Sequence, residues 1–408
     1  MSAVAVETAP SRLRLLRPLA ARNFRLLWVG SSLSMLADQF SFIAIAWLAL
    51  LLTGSPLALG AVLMTAAIPR AVFMLVGGAL TDRLSARYVM TASSAIRAAA
   101  MGLTAALVLS HQIQLWELYA VSLAFGFADA FFFPSRGALV PAVMPPDQLE
   151  PANALLSGSM ALVGILGAAA SGLVVAHFGT GPGFAIDSAA FLVTALAVAA
   201  IDAPRVPAAA GGLLRQIRGG FTYVWRDPAL RTMLLALFVV DTALSGPISV
   251  GLATLARERL GGAASLGALA AVFAAGTLVG NVVGGSLGRR RRIGVLLAAL
   301  MAALGGCVMA IAGAFGLAPA AAIMFGIGIL AALAQVLFFA WLQRRTSPEL
   351  QGRVQGIVMF SSVGLAPATM AAAGAIAQLD LGFLFLLSGG IVLVTGLAMS
   401  LSRTFRDL

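Results

Sequence analysis

Long apolar segments separated by short polar turns run through almost the whole chain. Several of these segments exceed the ~18 consecutive apolar residues that indicate a membrane-spanning helix. With about 20 residues for each span, the fold class expected is an all-α integral membrane protein. The pattern predicts twelve transmembrane helices, at about residues 24–52, 57–80, 89–110, 115–135, 153–176, 183–201, 230–256, 264–287, 293–312, 317–342, 353–378 and 381–402.

The composition supports the same class. Hydrophobic residues make up 61% of the chain and charged residues 10%, against roughly 45–50% and about 25% in soluble domains. A soluble protein with a very large core is the alternative, and the length of the apolar segments argues against it. The 26 basic residues are all arginine and the net charge is +11. Because the position of these arginines decides their meaning in a membrane protein, no nucleic-acid partner is expected.

Arginines mark one face of the membrane. They precede helix 1, follow helices 2, 4, 8, 10 and 12, and recur in the long connection after helix 6. Arg257 and Arg259 stand at the opposite face, and Arg136 is counted on the arginine-rich face because it follows predicted helix 4. The positive-inside rule therefore predicts a multi-pass protein of the inner cell membrane with both termini in the cytoplasm.

The chain contains an internal repeat of about half its length. Such a repeat predicts two six-helix halves of the same orientation, related by an axis along the membrane normal. Three pairs of motifs carry it: Gly77-Gly78 and Gly284-Gly285 are 207 residues apart, Asp38 and Asp241 are 203 apart, and Pro146-Asp147 and Pro348-Glu349 are 202 apart.

The repeat predicts two bundles, residues 1–201 and 230–408, joined by a cytoplasmic linker at 202–229. Apolar residues of the linker, such as Leu213 and Ile217, recur at helical spacing with arginines between them. This spacing favours an amphipathic helix on the inner membrane surface, and a simple solvated linker is the alternative. Transporters built from such halves bind their substrate at the midplane between them.

A short polar loop containing Gly78, Asp82, Arg83 and Arg87 follows predicted helix 2. It resembles the signature loop between helices 2 and 3 of the major facilitator superfamily of secondary transporters, with Ser85 where a glycine is usual. The resemblance implies that the loop gates the cytoplasmic side and that Asp82 lies against the start of helix 11. Inside-positive topology alone would explain the arginines, but not an aspartate that follows two glycines.

Further motifs resemble the twelve-helix drug:proton antiporter branch of this superfamily, which includes macrolide efflux proteins and the enterobactin exporter. Helix 5 carries Gly167 and Gly172 of the antiporter signature, but Ala168 and Ser171 replace its proline and one of its glycines. The other matching segments are Thr53-Gly54-Ser55-Pro56, Phe133-Pro134-Ser135-Arg136 and Ala185-Ile186-Asp187-Ser188-Ala189-Ala190-Phe191.

Ionisable side chains inside the predicted helices are candidates for function, because a charge at mid-bilayer costs about 2.5–3.5 kcal/mol on insertion scales. The resemblance implies that helices 1, 4, 7 and 10 line the central cavity, which places Asp38, Asp129 and Asp241 there. We expect Asp38 or Asp241 to bind the coupling proton or a cation, with Arg70 in the same cavity. The structural alternative is that Asp38 pairs with Arg70 and Asp129 with Arg97 as fixed ions.

Other residues complete the predicted site. Asp187, toward the outer end of helix 6, is expected to take part with Arg97 in ion pairing within the membrane. Gln335, Phe42 and Phe339 are expected to give the cavity an aromatic and mildly polar surface. Packing against lipid or core is the alternative for each phenylalanine.

The chain shows no phosphate-binding loop, nucleophile constellation or metal-ligand spacing, so neither an enzyme nor a cofactor is expected. The predicted function is proton-coupled export of a small amphiphilic organic compound, such as a drug, antibiotic, siderophore or other metabolite. An importer or uniporter of the same fold is the first alternative, and a non-transporting receptor is the second. The expected partners are the substrate, protons and the lipid bilayer, with the protein as a monomer.

Overall fold

The computed structural model describes residues 16–202, 222–287, 292–347, 350–351, 354–355, 357–358, 364–402 and 405, and the backbone alone of residues 75–83. This part of the chain is helical and contains no strand. Eleven of its helices are long and apolar enough to cross a membrane. Within the described residues we number twelve long helices: α1 (Arg22–Thr53), α2 (Pro56–Leu84), α3 (Ala86–Leu109), α4 (Leu115–Val143), α5 (Leu149–Phe178), α6 (Thr180–Ala199), α7 (Pro228–Arg259, with a π-helical turn at Pro247–Gly251), α8 (Ala263–Ser286), α9 (Ile293–Ile311), α10 (Leu317–Arg345), α11 (Ala366–Leu379) and α12 (Leu381–Leu401).

The twelve-helix prediction is confirmed, but the end of α4 differs from the predicted end. α4 continues to Val143, although Pro134 and Pro141 lie inside it. A membrane helix tolerates proline because neighbouring helices and local adjustments satisfy the carbonyl groups that proline leaves unpaired. Placing Arg136 after this helix was therefore wrong, since the residue lies inside α4, two turns after Asp129.

The junction between α2 and α3 is a single residue, Ser85, whose φ of 81° lies in the left-handed region. The expected loop from Gly78 to Arg87 is therefore wrong in extent, because α2 continues to Leu84 and α3 begins at Ala86. A fall in hydrophobicity marks the exit from lipid. It does not end the helix, since polar residues still form the i to i−4 backbone hydrogen bonds.

The predicted amphipathic helix falls on residues 203–221, which lie outside the described residues. The linker ends at Asp227, which caps α7 by accepting hydrogen bonds from the backbone N–H groups of Ala229 and Leu230. Arg345, the last residue of α10, donates from Nε to the same carboxylate at 2.7 Å. Burial alone would raise the pKa of Asp227, but these hydrogen bonds hold it below its ordinary value.

The repeat in the sequence reappears in helix packing within each half. A Cβ atom at Gly126 on α4 would lie 1.9 Å from the carbonyl oxygen of Ala66 on α2, and one at Gly328 on α10 would lie 2.3 Å from that of Phe273 on α8. Gly328 follows Gly126 by 202 residues, and Phe273 follows Ala66 by 207. The contact between α2 and α4 in the first half is therefore equivalent to the contact between α8 and α10 in the second half.

Two further glycine crossings join the halves. On α2 and α11, a Cβ atom at Gly60 would lie 3.0 Å from the Cα atom of Gly374, and on α5 and α8 one at Gly172 would lie 2.6 Å from the Cα atom of Gly267. The repeat relates the two crossings to each other. Gly267 on α8 is 207 residues after Gly60 on α2, and Gly374 on α11 is 202 residues after Gly172 on α5.

Both crossings lie near one end of the bundle, where α1 turns into α2 and α11 into α12. At this end Ser55 on the α1–α2 turn also donates a hydrogen bond of 2.7 Å to Gln378 on α11. Backbone-to-backbone approach through glycine gives tight van der Waals packing, which is the main attraction between helices in lipid. This end of the molecule is therefore closed.

A large residue at the α5–α8 crossing is expected to open this end. Overpacking costs about 1–3 kcal/mol, which shifts a two-state equilibrium about 5–150-fold. In a Cys307→Ala background, Ser249→Cys serves as the reporter, at a buried position of the π-helical turn of α7. Gly172→Leu or Gly267→Leu should speed its labelling by a hydrophilic maleimide added at the closed end. Gly158→Leu, at an α5 position with open space around it, is the control. Equal rates in all variants would contradict the closure.

Candidate functional site

The side chain of Arg97, in the middle of α3, is fully buried. Its Nη1 atom lies 3.2 Å from Oδ1 of Asp38 on α1 and 3.3 Å from Oδ1 of Asp129 on α4. Its Nη2 atom donates a hydrogen bond to Oγ of Ser34 on α1 at 3.3 Å. One guanidinium therefore joins α3 to both α1 and α4.

Aromatic rings enclose the same guanidinium. The Cζ atom of Arg97 lies 4.4 Å from the ring centre of Phe132 on α4 and 4.3 Å from that of Phe191 on α6. Phe125 lies farther away, at 5.9 Å. Cation–π contacts of this kind contribute about 2 kcal/mol or more when they are desolvated. The positive charge is therefore held at one position in the first half.

Asp129 is shared between two arginines. Its Oδ2 atom lies 3.2 Å from Nε of Arg70 on α2, whose side chain is 45% exposed. The charges thus alternate along a chain from Asp38 through Arg97 and Asp129 to Arg70. Of the two ion pairs in the structural alternative, Asp129 with Arg97 is present and Asp38 with Arg70 is wrong. Because a guanidinium carries five N–H donors, Arg97 reaches both carboxylates.

Asp187 does not form the expected ion pair. Its Oδ2 atom accepts a hydrogen bond from Oγ of Ser41 on α1, and none of the ion pairs in the described part of the chain includes it. The reason is that Arg97 is already engaged with two other carboxylates. Arg97 itself takes part in ion pairing as expected.

The charged chain borders a cavity of about 430 Å³ in the first half. Four of the seven residues expected in the central cavity line it together: Asp38, Arg70, Asp129 and Phe42. The side chain of Asp38 is 27% exposed and that of Asp129 6%. Residues of the second half complete the wall of this cavity: Ser249, Ala366 and Met370.

The remaining predicted residues lie in a separate cavity of about 450 Å³ in the second half. Asp241, Gln335 and Phe339 line it, together with Thr277 and Asn281. The structure therefore divides the predicted site between two cavities, where the sequence analysis expected a single central one.

The two cavities are equivalent in the repeat but differ in charge. Each contains one aspartate at the same position of its first helix, Asp38 or Asp241. The positions equivalent to Arg70, Arg97 and Asp129 are uncharged in the second half. Thr277 is 207 residues after Arg70, Leu304 is 207 after Arg97, and Ala331 is 202 after Asp129.

The side chains of the predicted gating residues Gly78, Asp82 and Arg83 lie outside the described residues. Arg87 is described, in the first turn of α3, with its Cζ atom 5.3 Å from the ring centre of Tyr88. The gating role therefore stays a prediction.

Sequence reasoning missed the polar partners of the charges. Ser34 and Ser41 contact Arg97 and Asp187, respectively. A signal for them was present, because Ser34, Asp38 and Ser41 are four and three residues apart and thus share one face of α1. No spacing rule indicates the aromatic enclosure of Arg97, since its rings come from different helices.

Arg136 is a further charged side chain that the sequence analysis misplaced. It is partly buried in α4, with its Cζ atom 5.1 Å from the ring centre of Phe133. Its Nη1 atom lies 2.9 Å from Sδ of Met160 on α5. A third arginine thus stands beside the first-half cavity, toward the end of α4.

Removing the charge of Arg97 is expected to destabilise the protein, because breaking a buried ion pair costs about 3–5 kcal/mol. Arg97→Met should lower the midpoint of thermal unfolding of the detergent-purified protein. Asp38→Asn in the same chain should restore part of the loss, since it removes the carboxylate left without a cation. Arg25→Met, at an exposed position of α1, is the surface control. An unchanged midpoint for Arg97→Met would contradict the role assigned to this residue.

Comparison with known proteins agrees with the architecture. The model of the Major Facilitator Superfamily matches residues 27–369. Macrolide efflux protein A of Streptococcus pyogenes is 22% identical over 401 residues, which cover 95% of this chain and 97% of that protein. The enterobactin exporter EntS of Shigella boydii is 26% identical over 294 residues, which cover 70% and 68% of the two chains.

A solved structure shows the same fold. The crystal structure of the nucleoside transporter NupG superposes with a TM-score of 0.72 at 14% identity and covers 92% of this chain and 98% of its own. With twelve helices, an internal repeat and a family match over most of its length, the chain belongs to the Major Facilitator Superfamily and is a membrane transporter, not an enzyme.

Proposed function

We propose that this protein exports a small amphiphilic organic compound across the cytoplasmic membrane in exchange for protons. The observation that carries the proposal is the first-half cavity, where Asp38, Arg70 and Asp129 line a wall that residues of the second half complete. Ionisable residues within membrane helices mark substrate and ion pathways. A cavity between two repeated halves is also the place where such transporters bind their substrate.

Access to the cavity follows from the closed end. The glycine crossings of α2 with α11 and of α5 with α8 seal the end that carries Arg257 and Arg259. The arginine distribution supports placing that end outside and both termini in the cytoplasm. In this conformation the protein takes up its substrate from the cytoplasm, and rocking of the halves, residues 1–201 and 230–408, exposes the substrate to the outside.

The residues at the opposite end suit a cytoplasmic gate. Gly78, Asp82, Arg83 and Arg87 surround the one-residue junction at Ser85, on the arginine-rich face. When the outer crossings open, an acid and several arginines at this end supply the charges that hold the inner side closed. Attraction between opposite charges is strong in such a place because the surrounding lipid and protein lower the effective dielectric constant.

The two cavities support an amphiphilic substrate. Phe339 and aliphatic side chains form most of the wall of the second-half cavity, and Gln335 and Asp241 are among its few polar residues. Such a wall suits the apolar body of a ligand. The first-half cavity offers charges of both signs, which suit a basic or zwitterionic group. The names of the relatives, a macrolide efflux protein and an enterobactin exporter, support export of an antibiotic, a siderophore or a comparable metabolite.

Asp38 is the first candidate for the coupling acid. It contacts one arginine, Arg97, whereas Asp129 contacts two and is more deeply buried. Protonation of Asp38 therefore gives up fewer ionic contacts. Asp241, its equivalent in the repeat, is the second candidate. A proton that re-enters the cell at 100 mV supplies about 2.3 kcal/mol from the potential alone, which can drive a substrate outward.

Import or uniport by the same fold is the alternative, and one observation favours it. In α5, Ala168 and Ser171 replace a proline and a glycine of the antiporter signature, while Gly172 retains its close crossing with α8. The incomplete signature weakens the expectation that transport is coupled to protons moving in the opposite direction.

The direction of transport is tested by accumulation of fluorescent organic cations and of antibiotics, including a macrolide, in cells that express the protein. We expect accumulation to fall several-fold on expression and to recover when a protonophore is added. Asp38→Asn or Asp241→Asn should abolish the export. Asp147→Asn, at an exposed position, is the matched control and should leave export intact.

Three results would contradict the proposal or a part of it. Higher accumulation on expression would show import. Export that continues unchanged in the presence of the protonophore would remove proton coupling. Export that survives in both Asp38→Asn and Asp241→Asn would place the coupling acid elsewhere.

A further inference from the structure

Asp187, in the middle of α6, is a buried acid that the proposed mechanism does not use. Its side chain is fully buried. Its Oδ2 atom accepts the hydrogen bond of Ser41, and its Oδ1 atom has no hydrogen-bond partner in the described part of the chain. The ion pairs of that part do not include it either. Its surroundings thus contain one hydroxyl group and no paired cation.

The helices packed on α6 bring two charged groups toward Asp187. α1 presents Asp38 and α3 presents Arg97. α5 brings the apolar Val175 against Gly183, one turn before Asp187. Phe125 of α4 packs on Phe191 of α6, one turn after Asp187. The two charges oppose each other, and Arg97 already neutralises other carboxylates. Little attraction is left to stabilise an ionised Asp187.

The neutral form of Asp187 is therefore the form that this environment favours. Burying an ion in protein costs several kcal/mol even after relaxation, and only a well-placed counter-ion offsets that cost. A neutral carboxylic acid incurs the much smaller cost of an incompletely hydrogen-bonded polar group.

We propose that Asp187 is a proton-binding site of the transport cycle, which carries a proton in this conformation and is connected to the cavity through Ser41. Ser41 lines the same cavity as Asp38, while its hydroxyl contacts the buried acid. The inference rests on the proposed exchange of substrate for protons. Under this proposal, Asp187 on α6 stays protonated beside the cavity until a substrate binds.

A proton can pass from Asp187 to Asp38 through Ser41 without changing the net charge of the site. The hydroxyl of Ser41, which donates to Asp187 in this conformation, first turns toward Asp38, three residues away on the same face of α1. The acid group of Asp187 then donates its proton to Oγ of Ser41 while the hydroxyl proton of Ser41 passes to the carboxylate of Asp38. Asp187 becomes negative, Asp38 becomes neutral, and Ser41 is regenerated, so the net charge of the site is unchanged. Neutral Asp38 then attracts Arg97 less, which links the proton to the charged chain that borders the cavity.

Infrared spectroscopy of the purified protein tests the inference without any substrate. A protonated carboxylic acid has a C=O stretching band that a carboxylate lacks. We expect this band in the wild type at neutral pH, its loss in Asp187→Asn, and its persistence in Asp38→Asn. Ser41→Ala should shift the band by removing the hydrogen bond. Ser188→Ala, which removes a comparable α6-to-α3 hydrogen bond, should not shift it.

The opposite results would overturn the inference. A band that is unchanged in Asp187→Asn places the proton on another residue. The absence of any such band shows that Asp187 is ionised, as it would be if a water molecule joined it to Arg97, whose Nε atom also lacks a hydrogen-bond partner in the described residues. Should Asp187→Asn fail to fold, an unshifted band in Ser41→Ala overturns the inference by itself.

The outcome can be separated from that of the proposed function. If protonophore-sensitive export is found while the band does not depend on Asp187, the exporter stands and this site fails. If the band depends on Asp187 but no compound is exported, the acid holds a proton that transport does not use. If both hold, Asp187→Asn should also flatten the dependence of export on external pH, and Ser188→Ala should not.

Discussion

A guanidinium inside a membrane protein needs a counter-ion and hydrogen-bond acceptors, and this requirement organises the first half of the chain. Arg97 meets it with carboxylates from α1 and α4, a hydroxyl from α1 and aromatic rings from α4 and α6. The positions of the helices around the cavity are therefore tied to one side chain. Anything that changes the charge of Asp38 or Asp129 changes the main electrostatic contact among these helices, which is how a proton or an ionic substrate can act on the bundle.

The second half shows what the same fold does without that requirement. Its crossings of α8 with α10 repeat those of α2 with α4, yet the positions equivalent to Arg70, Arg97 and Asp129 hold uncharged residues. One half thus concentrates the ionic groups and the other provides a mostly apolar cavity. Among the close approaches described, the glycine crossings that join the two halves lie near one end of the molecule. Opening these crossings would leave the glycine contacts within each half intact.

Much of this arrangement was predictable because lipid imposes simple rules. Length and hydrophobicity indicate twelve helices, and charges that interrupt apolar segments stand out, which is why Asp38, Asp129, Arg70 and Arg97 were found. Their pairing was not predictable, because it depends on how α1, α3 and α4 are rotated against one another. The ends of α2 and α4 were misjudged because helical hydrogen bonding continues beyond the apolar segment. The surroundings of Asp187 depend on a hydroxyl from another helix, which no local pattern shows.

The proposed exchange of substrate for protons requires that substrate and proton compete for the acids of the first half. Its most direct test is the change in pH when a compound known to be exported is added to the purified protein in weakly buffered solution. We expect binding to release protons, and we expect the release to disappear at a pH high enough to deprotonate the free protein. Binding that releases no protons at any pH at which the protein stays folded would contradict it.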